Sequence, residues 1–547
     1  MLSLMHPDGK PSSTERALSS RTLEDLGLDL LARELTGGSL SRGAATKVLA
    51  QLPVDPETIV YRRKVLADIA RSAELEEALD ALLPKLRELT AFSRSAGESD
   101  APLLQAVWRI GELELYVECI DDLCAAFDAA HRDDGAVLSD GFQALERYAR
   151  HARAAEHFAA LKEELPRLKE GLKRRQSVTI GINLDERFRP VEAALLSVNP
   201  ERFRHSGILG RFLDSLESSP KYRVTAPLHS MPTPGNIPER KIPLTPLFRD
   251  LDDVLRPLGK SLHRGLREFL SVETAPLAGL ERELSFYLGA HRLKSRLEGA
   301  GLPTCFPQIA DTTERRLRAS GFYNLQLALR ALERGEAEKI VPNELHLGDD
   351  VGILVITGAN QGGKTTFVQG AGILQVMAQA GLFVPARSAT VSPVDAIMTH
   401  FPTGEAGNIE TGRLSRELGE LAGIFDEATD RSLLLLNESL SSTSAGEAVA
   451  VAEEMLAALR RVGTRTLYAT HLHEISERLD EINAPADVGP QARRLTAETE
   501  WDGETVRRTY RIVPGSPQGK SFARDLARKH GISYSQLIER FRARGLL

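Results

Sequence analysis

The chain has 547 residues and a formal net charge of −7, from 69 Lys and Arg against 76 Asp and Glu. That length implies roughly three or four units, and the acidic balance excludes a uniformly basic nucleic-acid binder, so any such contact has to come from a local patch. With 42% apolar and 27% charged residues, the composition excludes wholesale disorder.

Residues 1–45 are polar and turn-rich and predict a loosely held lead-in. No apolar signal core follows the N-terminus and no run of about eighteen apolar residues occurs anywhere, which predicts a cytoplasmic protein with no membrane partner. Over 46–176 apolar residues recur at steps of three and four, as in Ile59, Val65, Leu66, Ile69, Leu75, Leu79 and Leu82. That spacing predicts helices. Cys119 and Cys124 here, and Cys305 later, lack metal-ligand spacing and read as buried apolar residues.

The segment 177–246 has another texture. Ser177–Pro190 (SVTIGINLDERFRP) reads as a strand and turn, and seven prolines between 219 and 246 rule out a long helix. Helical periodicity resumes over 247–339. Helices, an irregular interruption and helices again fit an elongated arm with its non-helical part at the far end. They fit a bundle with one long loop equally well. Over 340–547, runs of strand length (Ile353–Ile356, Leu433–Leu436, Thr466–Ala469) alternate with amphipathic stretches. That alternation predicts an α/β sheet built by crossover connections.

The most specific signal is GILVITGANQGGKTTF, residues 352–367, in which Gly358-x-x-x-x-Gly363-Lys364-Thr365 fits a phosphate loop between a strand and a helix. Glycines let successive backbone N–H groups curl around phosphate oxygens, and the helix directs its positive end at them. Lys364 is placed to reach the terminal phosphates and Thr365 to ligate Mg2+. A second strand ends in Asn437-Glu438; a carboxylate there can activate water, which makes Glu438 the candidate general base. Asn437 stands where an aspartate usually helps hold Mg2+, so the site lacks that charge. A third strand delivers His471, placed to sense the γ-phosphate.

Together these stretches resemble the ATPase domain of the MutS mismatch-repair family. The family's loop reads close to G-P-N-M-G-G-K-S-T, and here it is Gly358-Ala-Asn360-Gln-Gly362-Gly363-Lys364-Thr365-Thr366. Val341-Pro342-Asn343-Glu344, Phe383-Val384-Pro385-Ala386, residues 433–448 with Thr443-Ser444, LYATHLHEI (467–475) and residues 511–533 resemble further family motifs in order. The resemblance implies an α/β, ATP-binding-cassette-like nucleotide domain over 340–547 with a C-terminal helical dimerisation segment. It also implies a mainly α-helical core-and-lever region before it: core and first lever over 46–176, a β and proline-rich clamp tip over 177–246, and returning lever helices over 247–339. Thr411–Ser415 sits at the family's signature segment, which implies that Ser415 reaches a partner's γ-phosphate; Leu414 and Ser441 depart from the family pattern.

The implied protein is a Mg2+-dependent ATPase that forms a homodimer and switches a DNA-embracing clamp in repair or recombination. Duplex or branched DNA is expected to bind with little sequence specificity. Lys221, Arg223, Arg240 and Lys241 at the tip are the candidate DNA contacts, because phosphate contacts need only reachable positive charge. Lys169, Lys173, Arg174 and Arg175 form another basic cluster just before it. The residues before the core leave no room for mismatch-reading and connector domains, and no nuclease domain is expected after the last helices. An ATP-switched clamp on RNA or a ribonucleoprotein, and a nucleotide-binding module with little turnover, remain the alternatives.

Overall fold

Capping residues and apolar spacing set the helices of the N-terminal half. The computed structural model describes residues 2–10, 15–36, 42–95, 102–131, 138–173, 177–184, 186, 190–199, 262, 264–269, 271–401, 413–484, 489–501, 506–515 and 531–545. The first elements are β1 (Arg16–Ala17), α1 (Ser20–Asp25), α2 (Leu28–Thr36), α3 (Arg42–Ala50) and β2 (Gln51–Leu52), with β1 and β2 pairing antiparallel. α4 (Pro56–Arg71) starts on Asp55, whose side chain accepts from Thr58 N at 2.7 Å, with Pro56 in the first turn. Both features favour a helix start there. α5 (Ala73–Ser95), α6 (Pro102–Ala130), α7 (Asp140–Ala154) and α8 (Glu156–Lys173) follow, as the periodicity over 46–176 predicts. β3 (Ser177–Leu184) and β4 (Pro190–Asn199) form an antiparallel hairpin where a strand and turn were expected.

α9 (Ala275–Gly299) is buried on almost every side between Leu284 and Ala290 and packs against α2, α4 and α5. A helix apolar all round belongs at the centre of its layer. Gly289 makes the closest approach possible: a Cβ there would lie 1.5 Å from the Leu35 carbonyl oxygen at the end of α2.

The lead-in is not loosely held where it is described. Leu4 and Met5 are buried in the core. Ser3 Oγ donates to Glu283 Oε1 at 2.8 Å, Tyr287 Oη to the Leu4 carbonyl at 2.8 Å and Tyr61 Oη to the Ser3 carbonyl at 2.8 Å. α1 carries Leu26, fully buried just past its end, against the body of the later α/β region. A few apolar residues among many polar ones suffice when each meets a prepared cavity, and no local periodicity records that.

Residues 247–339 also differ from a run of helices. After α9 the chain passes Pro303 and Pro307 into β5 (Gln308–Ile309) and β6 (Leu317–Phe322), then α10 (Leu325–Glu333). Proline removes the donors a helix would need, and Leu317 and Ala319 alternate inward as strand residues do. β7 (Asn343–Leu347), β8 (Val351–Gly358), α11 (Lys364–Gln379), β9 (Ser388–Val391), β10 (Ile397–His400), α12 (Arg413–Glu427), β11 (Leu433–Asn437), α13 (Ala445–Val462), β12 (Arg465–Ala469), α14 (His473–Glu477) and α15 (Leu479–Asn483) come next. The last elements are β13 (Gln491–Trp501), β14 (Val506–Pro514) and α16 (Tyr534–Ala543).

The strands make two larger sheets: a mixed one ordered β5-β9-β6-β7, and a six-stranded one ordered β10-β11-β12-β8-β13-β14 in which only β14 runs antiparallel to its neighbour. β8 is buried along its whole length. Leu354 and Ile356 belong to the large core shared with α1, α9 and α11, while Ile353 and Val355 join a second core with Leu434, Tyr468 and α13. A sheet covered on both faces reads as a continuous apolar run, as β8 and β11 do. No described helix is long and apolar enough to cross a membrane. Lys221, Arg223, Arg240, Lys241, Arg174 and Arg175 lie outside the described residues, as do Thr411 and Gly412.

Candidate nucleotide site

In an open parallel sheet, ligands bind beyond the carboxyl ends of the strands. β8, β11 and β12 are neighbours by register, with Ile356 opposite Ala469 and Leu436 opposite Tyr468. The three sequence segments singled out as chemical therefore end side by side.

The loop after β8 needs its glycines for two separate reasons. Gly358 and Gly363 have φ of 122° and 96°, left-handed values that L side chains disfavour. Gly358 and Gly362 also lie against β13: a Cβ on either would approach the Ala497 Cβ to 2.9 and 2.8 Å. Asn360 is exposed and Gly362 is buried. Gly363 caps α11, whose first residues are Lys364, Thr365 and Thr366.

Lys364 is only 4% exposed, and its Nζ donates to the Gly358 and Ala359 carbonyls at 2.9 and 3.2 Å. Burial holds its ammonium below the usual lysine pKa, and Glu438 works against that shift. The same Nζ stands 3.5 Å from His471 Nδ1, while His471 Nε2 is 2.7 Å from Glu438 Oε1. Thr365 Oγ1 donates to Asn437 Oδ1 at 2.9 Å. Lys364, His471 and Glu438 thus form one bonded line and Thr365 with Asn437 a second, set side by side because 364–365 and 437–438 are consecutive. Asn437 is buried, and the Glu438 and His471 side chains are partly open to solvent.

What the arrangement can do follows from these groups. A buried cation with three donors, at a helix start and beside a glycine turn, is suited to a polyanion. A solvent-reaching carboxylate bonded to an imidazole can accept a proton from water. Thr365 and Asn437 present two neutral oxygen donors of the hard kind that Mg2+ prefers, without a carboxylate between them.

Ser415 is exposed in the first turn of α12, a helix that packs on β10. Among the described residues no hydrogen bond joins it to the 358–363 loop, and a contact with a partner is what the resemblance implies. Leu418 on the same helix is 38% exposed.

Two residues absent from the sequence reading lie against the 358–363 loop. Ala497 sits opposite Gly358 in the β8–β13 register, and no local motif marks it; only the pairing reveals why it is small. Tyr510 on β14 has φ of 61°, is 50% exposed, and its ring edge reaches to 4.0 Å of where a Gly363 Cβ would lie. Asn343 fixes it by donating to the Tyr510 carbonyl at 3.3 Å and accepting from Ile512 N at 2.7 Å. The Val341–Glu344 motif was a pointer to that contact.

Residues 354–542 match the family described as MutS domain V, and residues 54–300 match the MutS2 N-terminal domain. The DNA mismatch repair protein MutS of Solibacter usitatus is 31% identical over 240 residues, covering 43% of this chain and 26% of that protein. The endonuclease MutS2 of Caldanaerobacter subterraneus is 32% identical over 224 residues, 41% of this chain and 27% of that protein. The endonuclease MutS2 of Listeria innocua is 29% identical over 297 residues, 53% and 35% respectively. The chain thus spans about a quarter to a third of the length of these relatives.

Proposed function

We propose, from the premise that this chain belongs to the MutS family, that it binds and hydrolyses ATP to switch a dimeric, DNA-embracing clamp in repair or recombination. The observation that carries the reading is the convergence of Lys364, Thr365, Asn437, Glu438 and His471 at the ends of three adjacent strands.

In this reading Gly358, Asn360, Gly362, Gly363 and Thr366 shape the phosphate cradle. Lys364 leaves the Gly358 and Ala359 carbonyls for the terminal phosphates. Glu438 takes a proton from the attacking water, and His471, bonded to it, registers whether the γ-phosphate is present. Mg2+, when bound, supplies neutralisation of phosphate charge, and Thr365 with Asn437 would hold it. Tyr510 offers a ring on which the base can stack. Tyr510→Ala is expected to weaken ATP binding about 5- to 150-fold, from the roughly 1–3 kcal/mol of a base–aromatic stack. Calorimetric titration checks it, and an unchanged Kd removes the residue from the site.

The dimer reading puts Ser415 across the interface at the partner's phosphate, in an ATP-binding-cassette-like domain over 340–547. The helices over 46–176 and α9 serve as core and levers, β5 and β6 go with the nucleotide domain whose strands they pair with, and 177–246 serves as the clamp. α1 joins the nucleotide domain rather than standing as part of a separate lead-in over 1–45. The relatives' names speak of DNA mismatch repair and of an endonuclease, and DNA is accordingly the proposed partner.

The decisive test is Glu438→Gln, which should bind ATP normally and hydrolyse it roughly 10²–10⁴-fold more slowly. Its ATP-bound form should accumulate as a dimer in light scattering. Turnover at the wild-type rate would place the base elsewhere. Asn437, where a carboxylate is usual, favours one second reading, a nucleotide-binding module with little turnover. A wild-type turnover assay separates the two.

A further inference from the structure

The turn that carries Glu438 is strained. Glu438 and Leu440 have φ of 52° and 68°, left-handed values that non-glycine residues adopt only when their surroundings enforce them. Four contacts hold it. Glu438 N donates to the Ala469 carbonyl at 2.8 Å, which ties the turn to β12. Tyr468 Oη donates to the Ser439 carbonyl at 3.2 Å. The Ser439 hydroxyl lies 2.7 Å from His400 Nδ1 at the end of β10, and the His400 ring is almost fully buried. The fourth contact comes from α12: the Glu417 carboxylate accepts from Leu440 N at 2.6 Å and Ser442 N at 3.3 Å.

α12 is held again one turn further along the same face. Glu420, one turn beyond Glu417, pairs with Arg21 of α1 and stands 3.5 Å from His400 Nε2. Arg21 Nη2 also donates to the Phe401 carbonyl at 2.9 Å. α1 is seated on the site's own elements. Gln369 of α11 donates to the Asp25 carbonyl at 2.9 Å, Thr399 Oγ1 to Asp25 Oδ2 at 2.6 Å and Thr22 Oγ1 to the Ile397 carbonyl at 3.2 Å. Arg21, Glu420, His400 and Ser439 therefore make an unbroken line from α1 to the residue next to Glu438, and Glu417 makes a second from α12.

We propose that Glu417, His400 and Arg21 are positioning residues that hold the 438–440 turn, so that the seating of α12 sets the aim of the Glu438 carboxylate. The proposal rests on the reading of Glu438 as general base. Its physical content is that a strained turn relaxes when its hydrogen bonds are removed, and a base displaced by about an ångström loses much of its effect. α12 opens with the signature segment, so whatever moves that segment also moves Glu417 and Glu420.

The test compares kcat with the Kd for ATP in the full chain. Glu417→Ala is expected to lower kcat about 10- to 100-fold and to leave the ATP Kd unchanged, because the 358–363 loop is untouched. Glu417→Gln keeps one acceptor oxygen and should lose less. Arg21→Ala should lower kcat, with partial rescue by Arg21→Lys. His400→Asn, which can keep the Ser439 contact, should outperform His400→Leu. In a Glu438→Gln background, Glu417→Ala should add no further loss, because residues acting through one group are not additive. Wild-type kcat in Glu417→Ala, or losses that multiply in the double variant, would overturn the proposal while leaving the base assignment standing. Normal turnover in Glu438→Gln alone would sink both. Should Glu417→Ala fail to fold, Glu417→Gln and the Arg21 pair decide the matter by the same ratio.

Discussion

Asn437 is a residue whose chemistry can be read from one bond. Its Oδ1 accepts from Thr365 Oγ1 at 2.9 Å, and its side chain is buried beside the group that includes Lys364 and Glu438. A neutral amide can accept from a metal-bound water but adds no charge toward a divalent cation. Asn437→Asp is therefore expected to lower the Mg2+ concentration at half-maximal activity, measured at fixed ATP, and an unmoved midpoint would exclude the position from the metal site. At this scale the grouping of much of the candidate site was legible. Gly358, Lys364, Thr365, Glu438 and His471 are residue types whose chemistry is local and whose strand or helix context is local too. Ala497 and Tyr510 were not legible for the opposite reason. A small side chain under a loop and a tyrosine at φ of 61° have meaning only through β13 and β14, which reach the loop by sheet register. The contacts of Arg21 with Glu420 span 399 residues, and no spacing in the chain encodes them.

Elements meet here with little slack, and α9 shows it. Gly289 permits the α2 carbonyl of Leu35 to touch the helix, and the 1.5 Å separation from a hypothetical Cβ involves backbone that cannot rotate away. Gly289→Ala is expected to destabilise the protein by about 3 kcal/mol or more, at or above the upper part of the range for overpacking, read as a loss of thermal stability. A melting temperature within error of wild type would show that α2 can slide. Gly279 on the same helix meets nothing within 4 Å, so Gly279→Ala serves as the matched control. The helices over 46–176 were predictable because Ile59, Val65, Leu66 and Ile69 repeat with the helical period and bury together. β6 was hidden inside a segment read as helical, since a strand of six residues, three of them small (Ala319, Ser320 and Gly321), carries little period of its own. The docking of α1 was hidden because its burial rests on Thr22, and on Leu26 just beyond it, rather than on a stripe.

For the molecule as a whole, the proposed DNA contact rests on charge rather than on placement. With a net charge of −7, binding to a polyanion needs a concentrated basic segment, and Lys221, Arg223, Arg240 and Lys241 supply one. Replacing all four by alanine should weaken duplex binding and make its salt dependence shallower by roughly 0.9 in log–log slope for each lost phosphate contact. Equal affinity and slope in the variant would move the DNA site elsewhere. A different whole-chain consequence lies in the burial of Ser3, Leu4 and Met5 against Glu283 and Tyr287. These partners are separated by about 280 residues, so the seat of residues 3–5, which α4 supplies in part through Tyr61 and Arg62, stays incomplete until α9 has been made. At about 5–20 residues per second that delay is roughly 15–60 s, during which Leu4 and Met5 stay exposed to whatever binds nascent apolar chain. Completion of the core is thus timed by synthesis of the central helix, and a co-translational protease assay should find the Ser3–Met5 segment cleavable until α9 emerges and protected soon after.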